Sequence, residues 1–275
     1  MATVKAFAAA KLNLTLHVTG QRDDGFHLLD SLVLFLTTGD RVTVSGAEAL
    51  QLSVTGPFGP RIPAGDDNLV LRAARLIGPG KGAKITLEKN LPPASGIGGG
   101  SADAAATLWA LSQLWRVPMP SVQDLMGLGA DIPVCLGAQF ARMGGTGEQV
   151  TPLGKAPDFN ILLVNPGVSV STPDIFKALE QKENPAMPTL PDTKAGPDAW
   201  LDWLQHQRND LEAPAIRTQP VIADVLDAMR ALPGCRLARM SGSGATCFAL
   251  MDKAGAGCDL KAAHPEWWVV ESNPI

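Results

Sequence analysis

The chain has 275 residues, 45% of them hydrophobic and 18% charged, enough to bury the cores of two ordinary domains. Its 27 acidic and 23 basic residues leave a formal net charge of −4, which excludes the basic footprint of a nucleic-acid binder. No apolar run approaches the roughly 20 residues that span a bilayer; even "LLDSLVLFLTTGD" is broken by Asp30 and ends at Gly39 and Asp40.

In chain order, the start "MATVKAFAAAKLNL" carries lysines inside its apolar part, unlike a signal peptide, so a cytoplasmic protein without a membrane partner is expected. "KLNLTLHVT" alternates apolar and polar residues and closes on a glycine, which predicts a strand. "SLVLFLTTGDRVTVSG" and "AKITLEKNLPP" predict two more. "DNLVLRAARLIG" predicts a helix capped by Asp67 or Asn68, with Leu69, Leu71, Ala73 or Ala74 and Leu76 on its apolar face. A second helix is predicted from Ser101 to Trp115, stopped before Pro118. "NILLVNPG" reads as a buried strand. The proline-rich stretch 184–197 lacks any period and is expected to be a loop or a mobile excursion. Near the end, "PGCRLARMSGSGATCFALM" reads as strand, glycine turn, strand, and "WWVVES" as a last strand. The four cysteines lie far apart with no C-x-x-C pair, so reduced thiols are expected rather than a disulfide framework or zinc site.

The most informative stretch is "LPPASGIGGGSADAAA", residues 91–106. It follows a predicted strand and opens a helix. Backbone N–H groups at a helix start are unpaired, and glycines without Cβ let an anion approach them closely, so the stretch has the makings of a phosphate cradle. A flexible or tightly packed structural loop is the competing reading. A Walker A loop is excluded because Ser101 follows Gly100 with no lysine between them. A Rossmann fingerprint is excluded because the glycines lie almost a hundred residues into the chain.

What remains resembles the P-x-x-x-G-L-G-G-G-S-S motif of the GHMP kinases, named for galactokinase, homoserine kinase, mevalonate kinase and phosphomevalonate kinase. "AKLNLTLHVTGQRDDGFH", "GADIPVCL", "NPGVSVSTPDIF", "NDLE" and "MSGSGATCFAL" resemble further segments of that family, in the family's order and over nearly the whole chain. The resemblance implies an α+β, two-domain GHMP kinase fold. An amino-terminal ATP-binding domain would cover 1–154 and a carboxy-terminal, substrate-side domain 155–275. It also implies ATP as phosphoryl donor with Mg²⁺, and residues Pro92, Pro93, Ala94, Ser95, Gly96, Ile97, Gly98, Gly99, Gly100, Ser101 and Ala102 as the ATP loop. The magnesium ligands stay unassigned. Ala102 removes a hydroxyl that many relatives carry, Asp103 adds a carboxylate, and Ser101 is left as a candidate metal ligand and as the expected helix cap.

Phosphoryl transfer needs mainly alignment and charge stabilisation, so one base and one cation suffice. Asp131 in "GADIPV" is the candidate base, with a helix cap ahead of Pro133 as its alternative role. Lys11 is the candidate cation, with an exposed strand lysine as the alternative. The family likeness carries Phe26 and Phe176 over as the two faces that sandwich a cytosine ring, and His27 as the reader of its edge. Phe26 lacks the hydroxyl of a commoner tyrosine, and the chain has no tyrosine at all. A core Phe26 and a surface His27 are the plainer alternatives. Asn13 and Thr172 would line the methylerythritol or phosphate end, with a plain strand asparagine as the rival role of the first. Asn68 resembles a position near the adenine site, with a helix cap as its rival role.

The implied reaction is transfer of the γ-phosphoryl of ATP to the C2 hydroxyl of a cytidine-diphosphate sugar alcohol, 4-diphosphocytidyl-2-C-methyl-D-erythritol. The partner is thus a small molecule, and a monomer or weak homodimer is expected. A GHMP kinase for another alcohol, such as homoserine or mevalonate, is the nearest alternative, and "GFH" argues against it because those substrates have no base to stack. A non-catalytic nucleotide sensor on the same scaffold and, more remotely, a dehydrogenase complete the alternatives.

Overall fold

A computed structural model describes residues 2–275. The chain opens with three strands, β1 (Thr3–Asn13), β2 (His17–Gln21) and the 20-residue β3 (His27–Gly46), followed by β4 (Gln51–Thr55). Helix α1 (Leu69–Ile77), strand β5 (Ala83–Glu88) and helices α2 (Gly99–Trp115), α3 (Val122–Leu128) and α4 (Ile132–Gly137) come next. A hairpin of β6 (Phe140–Gly145) and β7 (Gln149–Gly154) leads to β8 (Asn160–Asn165). The remainder runs α5 (Thr172–Lys177), α6 (Pro197–Gln205), α7 (Glu212–Thr218), α8 (Val221–Arg230), β9 (Cys235–Met240), β10 (Cys247–Met251), α9 (Gly257–Ala263) and β11 (Trp268–Ser272). This is the mixed helix and sheet composition expected from the sequence. Among the described residues no helix is long and apolar enough to cross a membrane.

The chain forms two compact units that interleave along the sequence. One comprises the chain up to Lys11, Gly39–Pro93 and Gly98–Ala138; the other comprises Leu12–Thr38, Ala94–Ile97 and Gln139–Ile275. β1 and the long β3 each contribute one end to either unit, and the glycine stretch is shared out as well.

In the first unit, β4 pairs parallel with β5, and β5 pairs antiparallel with the carboxy-terminal part of β3. The register sets Val42 opposite Leu87 and Val44 opposite Ile85, all buried. Alternation along β3 and β5 turns these side chains inward, where each contributes roughly 1.5–3 kcal/mol by leaving water. Helix α1 starts where Asn68 Oδ1 accepts the Val70 N–H at 2.9 Å, and buries Val70, Leu71, Ala73, Ala74 and Ile77. Asn68 therefore acts as a helix cap. Helix α2 packs on α1 and α4. Its alanines at 102, 104, 105, 106 and 110 are buried and let neighbouring backbones come close. It begins two residues earlier than predicted, with Gly98 at the cap position, so Ser101 lies inside the first turn and not at the cap.

In the second unit, β2, the amino-terminal part of β3, β6 and β7 form successive antiparallel pairs. A separate four-stranded antiparallel sheet has the order β11-β8-β10-β9. Leu162, Val164, Cys247, Ala249 and Met251 from that sheet join Val225, Leu226 and Met229 of α8 in one core. The stretch before α6 is irregular, as its prolines predict, but it is tied down at several points. Met187 N–H donates to Asp30, Asn184 N–H to the Val18 carbonyl, and the Trp203 indole to the Thr189 carbonyl. Pro197 opens α6 at its first position, where a proline costs no helical hydrogen bond. The four cysteines are free thiols.

Candidate active site

The residues singled out by sequence fall into two groups, one in each unit. In the first unit, Lys11 at the end of β1 and Asp131 just before α4 form an ion pair, with Nζ to Oδ1 at 2.6 Å. Asp131 stands at the cap position of α4 with Pro133 in the first turn, yet its carboxylate makes no capping bond. It turns to Lys11 instead. Lys11 is buried, and a Cβ built on Gly98 would lie 3.0 Å from the Lys11 Cβ, so the glycine brings the start of α2 directly against the lysine stem. Gly98 itself has a φ of +64°, a left-handed conformation that a glycine adopts without strain.

The start of α2 suits an anion. Gly98 has no side chain with which to cap, the first turn carries no acidic residue, and a Cβ at Gly100 would meet nothing within 4 Å. The first N–H groups of a 17-residue helix thus stand open at its positive end. Ile97 and Ala102 bury their side chains, so backbone is what they offer to a ligand.

Beneath this turn lies a cluster that sequence reasoning missed. Lys89 is buried between two buried carboxylates, Asp40 and Asp103, donating to Asp103 at 2.7 Å and to Asp40 as well. Asp40 also accepts the N–H groups of Asn90 and Leu91, whereas Asp103 Oδ1 has no partner. Burial, opposed by Lys89 and reinforced by Asp40, pushes the Asp103 carboxyl up to about 7. Burial works against the charged Lys89 too, but the two carboxylates outweigh it and raise its pKa. Buried charges persist only when paired in this way. The unusual carboxylate at 103 was the signal in the sequence; nothing there pointed to Lys89 as its partner.

In the second unit, loop residues 94–97 rest on the turn joining β9 to β10. Ser95 O accepts the Thr246 N–H and Gly96 O accepts the Ser241 hydroxyl, both at 3.0 Å. Gly96 has a φ of +75°, and a Cβ there would lie 2.3 Å from the Ser241 carbonyl oxygen. Only a glycine permits this backbone contact. Asn13, two residues beyond Lys11 on β1, is buried; its Nδ2 donates to Ser31 Oγ at 2.7 Å and its backbone N–H to Ser241 Oγ at 3.1 Å. Thr172, at the first position of α5, shares a 2.7 Å hydrogen bond with Ser243.

His27 and Phe176 are stacked, with ring centroids 4.8 Å apart and planes 25° from parallel. Phe26 is 62% exposed rather than a core residue, and it is the His27 ring, not Phe26, that covers Phe176 here. His27 Nε2 is buried without a hydrogen-bond partner. Burial, with the charge of Lys182 in second place, lowers the His27 pKa, so the ring is neutral at pH 7. A neutral imidazole offers one donor and one acceptor.

Two family models match this chain: the GHMP kinases N terminal domain over residues 68–141 and the GHMP kinases C terminal domain over residues 197–268. A relative from Cereibacter sphaeroides is 58% identical over 96% of this chain and 97% of its own length. The chain belongs to the GHMP kinase family. That relative, and another from Ruegeria pomeroyi that is 55% identical over 99% of both chains, are named 4-diphosphocytidyl-2-C-methyl-D-erythritol kinase. A solved 4-(cytidine 5'-diphospho)-2C-methyl-D-erythritol kinase superposes on this GHMP kinase with a TM-score of 0.79 at 32% identity, covering 98% of this chain and 100% of that one. A homoserine kinase from Cytophaga hutchinsonii, at 20% identity and a TM-score of 0.68, shares the fold.

Proposed function

We infer that this GHMP kinase transfers the γ-phosphoryl group of ATP to the C2 hydroxyl of 4-diphosphocytidyl-2-C-methyl-D-erythritol, a step in the synthesis of isoprenoid precursors. The observation that carries the reading is the 58% identity, over 96% of the chain, to a kinase named for that substrate. The Lys11–Asp131 contact supports the chemistry.

In this reading ATP lies with its phosphates at the start of α2, where the open N–H groups of Gly99 and Gly100 would hold them. Mg²⁺ would come bound to those phosphates, as it commonly does, and adds charge neutralisation there. Asp131 orients the C2 hydroxyl and accepts its proton as the hydroxyl oxygen attacks the γ-phosphorus. Lys11 fixes the Asp131 carboxylate and stabilises the charge on the transferring oxygens. Asn13 and Thr172 line the alcohol end. Phe26 and Phe176 clamp the cytosine ring, with His27 displaced from Phe176 to read the cytosine edge; the acceptor nitrogen of its neutral ring suits the amino group of that base.

An acceptor panel tests the reading. With ATP and Mg²⁺, kcat/KM for the cytidine-diphosphate alcohol is expected to exceed that for homoserine or mevalonate by at least about 10⁴-fold, as a site built around hydrogen bonds discriminates. Comparable turnover of either small alcohol contradicts it.

A further inference from the structure

Ser241 is fully buried in the turn between β9 and β10. Its oxygen accepts the backbone N–H of Asn13 at 3.1 Å, and its hydroxyl donates to the backbone carbonyl of Gly96 at 3.0 Å. The hydroxyl's one proton and one of its lone pairs are thus both assigned. The turn that holds it is itself fixed. The Ser241 N–H donates to Thr246 O at 2.9 Å, and the Ser241 carbonyl accepts the Gly244 N–H at 3.0 Å. Asn209 Nδ2 donates to the carbonyls of Met240 and Gly242, both at 2.8 Å. A Cβ on Gly242 would stand 2.7 Å from Gly96 O, so the turn and the loop meet backbone to backbone.

We propose that Ser241 is a positioning residue for phosphoryl transfer: its single oxygen sets the spacing between the strand end that carries Asn13 and the glycine loop that carries Gly96. This rests on the reading of Asn13 as an alcohol-side residue and of the loop as the ATP site. Lys11 lies two residues before Asn13, and Gly98 two residues after Gly96, so movement at either hydrogen bond passes along the backbone to the cation and to the start of α2. Removing the hydroxyl leaves a buried N–H and a buried carbonyl without partners, a fault the protein relieves by shifting the strand or the loop. Transfer chemistry is sensitive to such shifts, since a misplacement of about 1 Å can cost about 100-fold.

Ser241→Ala is expected to raise KM for ATP and for the cytidine substrate together and to lower kcat/KM about 10- to 100-fold. Ser241→Thr, which restores the hydroxyl, is expected to recover activity to within about threefold of wild type. Leu226→Ala, a core truncation in α8 that removes none of these hydrogen bonds, controls for lost stability and is expected to leave both KM values within about twofold. If Ser241→Ala does not fold, Ser241→Cys keeps the volume with weaker hydrogen bonds and carries the same expectation in milder form. Wild-type kinetics unchanged in Ser241→Ala or Ser241→Cys, a shift in one KM alone, or an equal shift in Leu226→Ala overturns the proposal. Wild-type turnover in the same assay separates that failure from failure of the functional reading.

Discussion

Lys11 Nζ lies 2.6 Å from Asp131 Oδ1, with the lysine side chain 4% exposed and the carboxylate 33% exposed. The cation is thus embedded while the carboxylate still reaches solvent, an order that suits a base which must meet an incoming hydroxyl. Asp131→Asn is expected to lower kcat by about 10²- to 10⁴-fold with ATP affinity largely kept. Lys11→Met, which retains the buried stem, is expected to lower kcat similarly, because the charge it meets develops mostly during transfer. Steady-state kinetics with calorimetric ATP titration checks both; wild-type turnover in Asp131→Asn assigns that residue to structure alone.

Gly96 and Gly100 separate packing from ligand approach. At Gly96 a Cβ collides with the Ser241 carbonyl and the backbone is left-handed, so Gly96→Ala is expected to lower Tm as well as ATP affinity. At Gly100 a Cβ meets open space inside a helix, so Gly100→Ala should hold or raise Tm, by the equivalent of about 0.5–1 kcal/mol. With the phosphates held at the start of α2 as proposed, ATP affinity is nonetheless expected to fall, since the methyl group would meet them. Undiminished ATP binding in Gly100→Ala removes that position from the site.

Much of this was legible in the sequence, and the exceptions have physical causes. The lengths of β1 and β3 and the alanine run of α2 made these elements visible, although the stretch 11–19, read as one strand, is divided between the end of β1 and β2. The helices α5, α7 and α9 span only six or seven residues, fewer than two turns, so no period can develop. The β6–β7 hairpin was missed because "FARMGG" and "QVTPLG" are short and interrupted by glycine and proline. Within the site, the glycine loop was visible because its composition is unusual. The cluster of Lys89, Asp40 and Asp103 was not, because only the carboxylate at 103 is unusual where it stands, and nothing local ties it to Lys89 on the far side of the loop or to Asp40 on another strand. Asn68 reads in the structure as the cap that its position before a helix allows.

The Asp103 carboxyl makes stability depend on pH. Its pKa is raised from the ordinary 3.8 to about 7, so the folded state holds a proton that the unfolded chain has lost. The stabilisation from that proton is full below about pH 4 and disappears as pH rises through about 7, with a slope of at most about 1.4 kcal/mol per pH unit. In Asp103→Asn the term is absent. Across this window the stability of wild type is expected to decline relative to Asp103→Asn, as read by denaturant unfolding; parallel curves contradict the assignment.

His27 gives a pH dependence of the opposite sense, in binding. Its lowered pKa keeps the ring neutral until pH falls below the ordinary histidine range. Protonation then replaces its acceptor by a second donor, so KM for the cytidine substrate is expected to rise at acid pH. His27→Ala is expected to lose that acid limb and to narrow the preference for cytosine over uracil substrates. Comparing kcat/KM for both bases across about pH 5–8 checks it; an unchanged cytosine-to-uracil ratio in His27→Ala shows that the ring does not read the base.

Product analysis decides whether this GHMP kinase phosphorylates one hydroxyl of a cytidine-diphosphate alcohol. Incubated with ATP, Mg²⁺ and 4-diphosphocytidyl-2-C-methyl-D-erythritol, the protein is expected to release ADP and to form one new phosphomonoester, assigned by phosphorus and carbon NMR to the C2 oxygen. Binding of ATP without any phosphorylated product, or a phosphate on a different hydroxyl, would contradict the account.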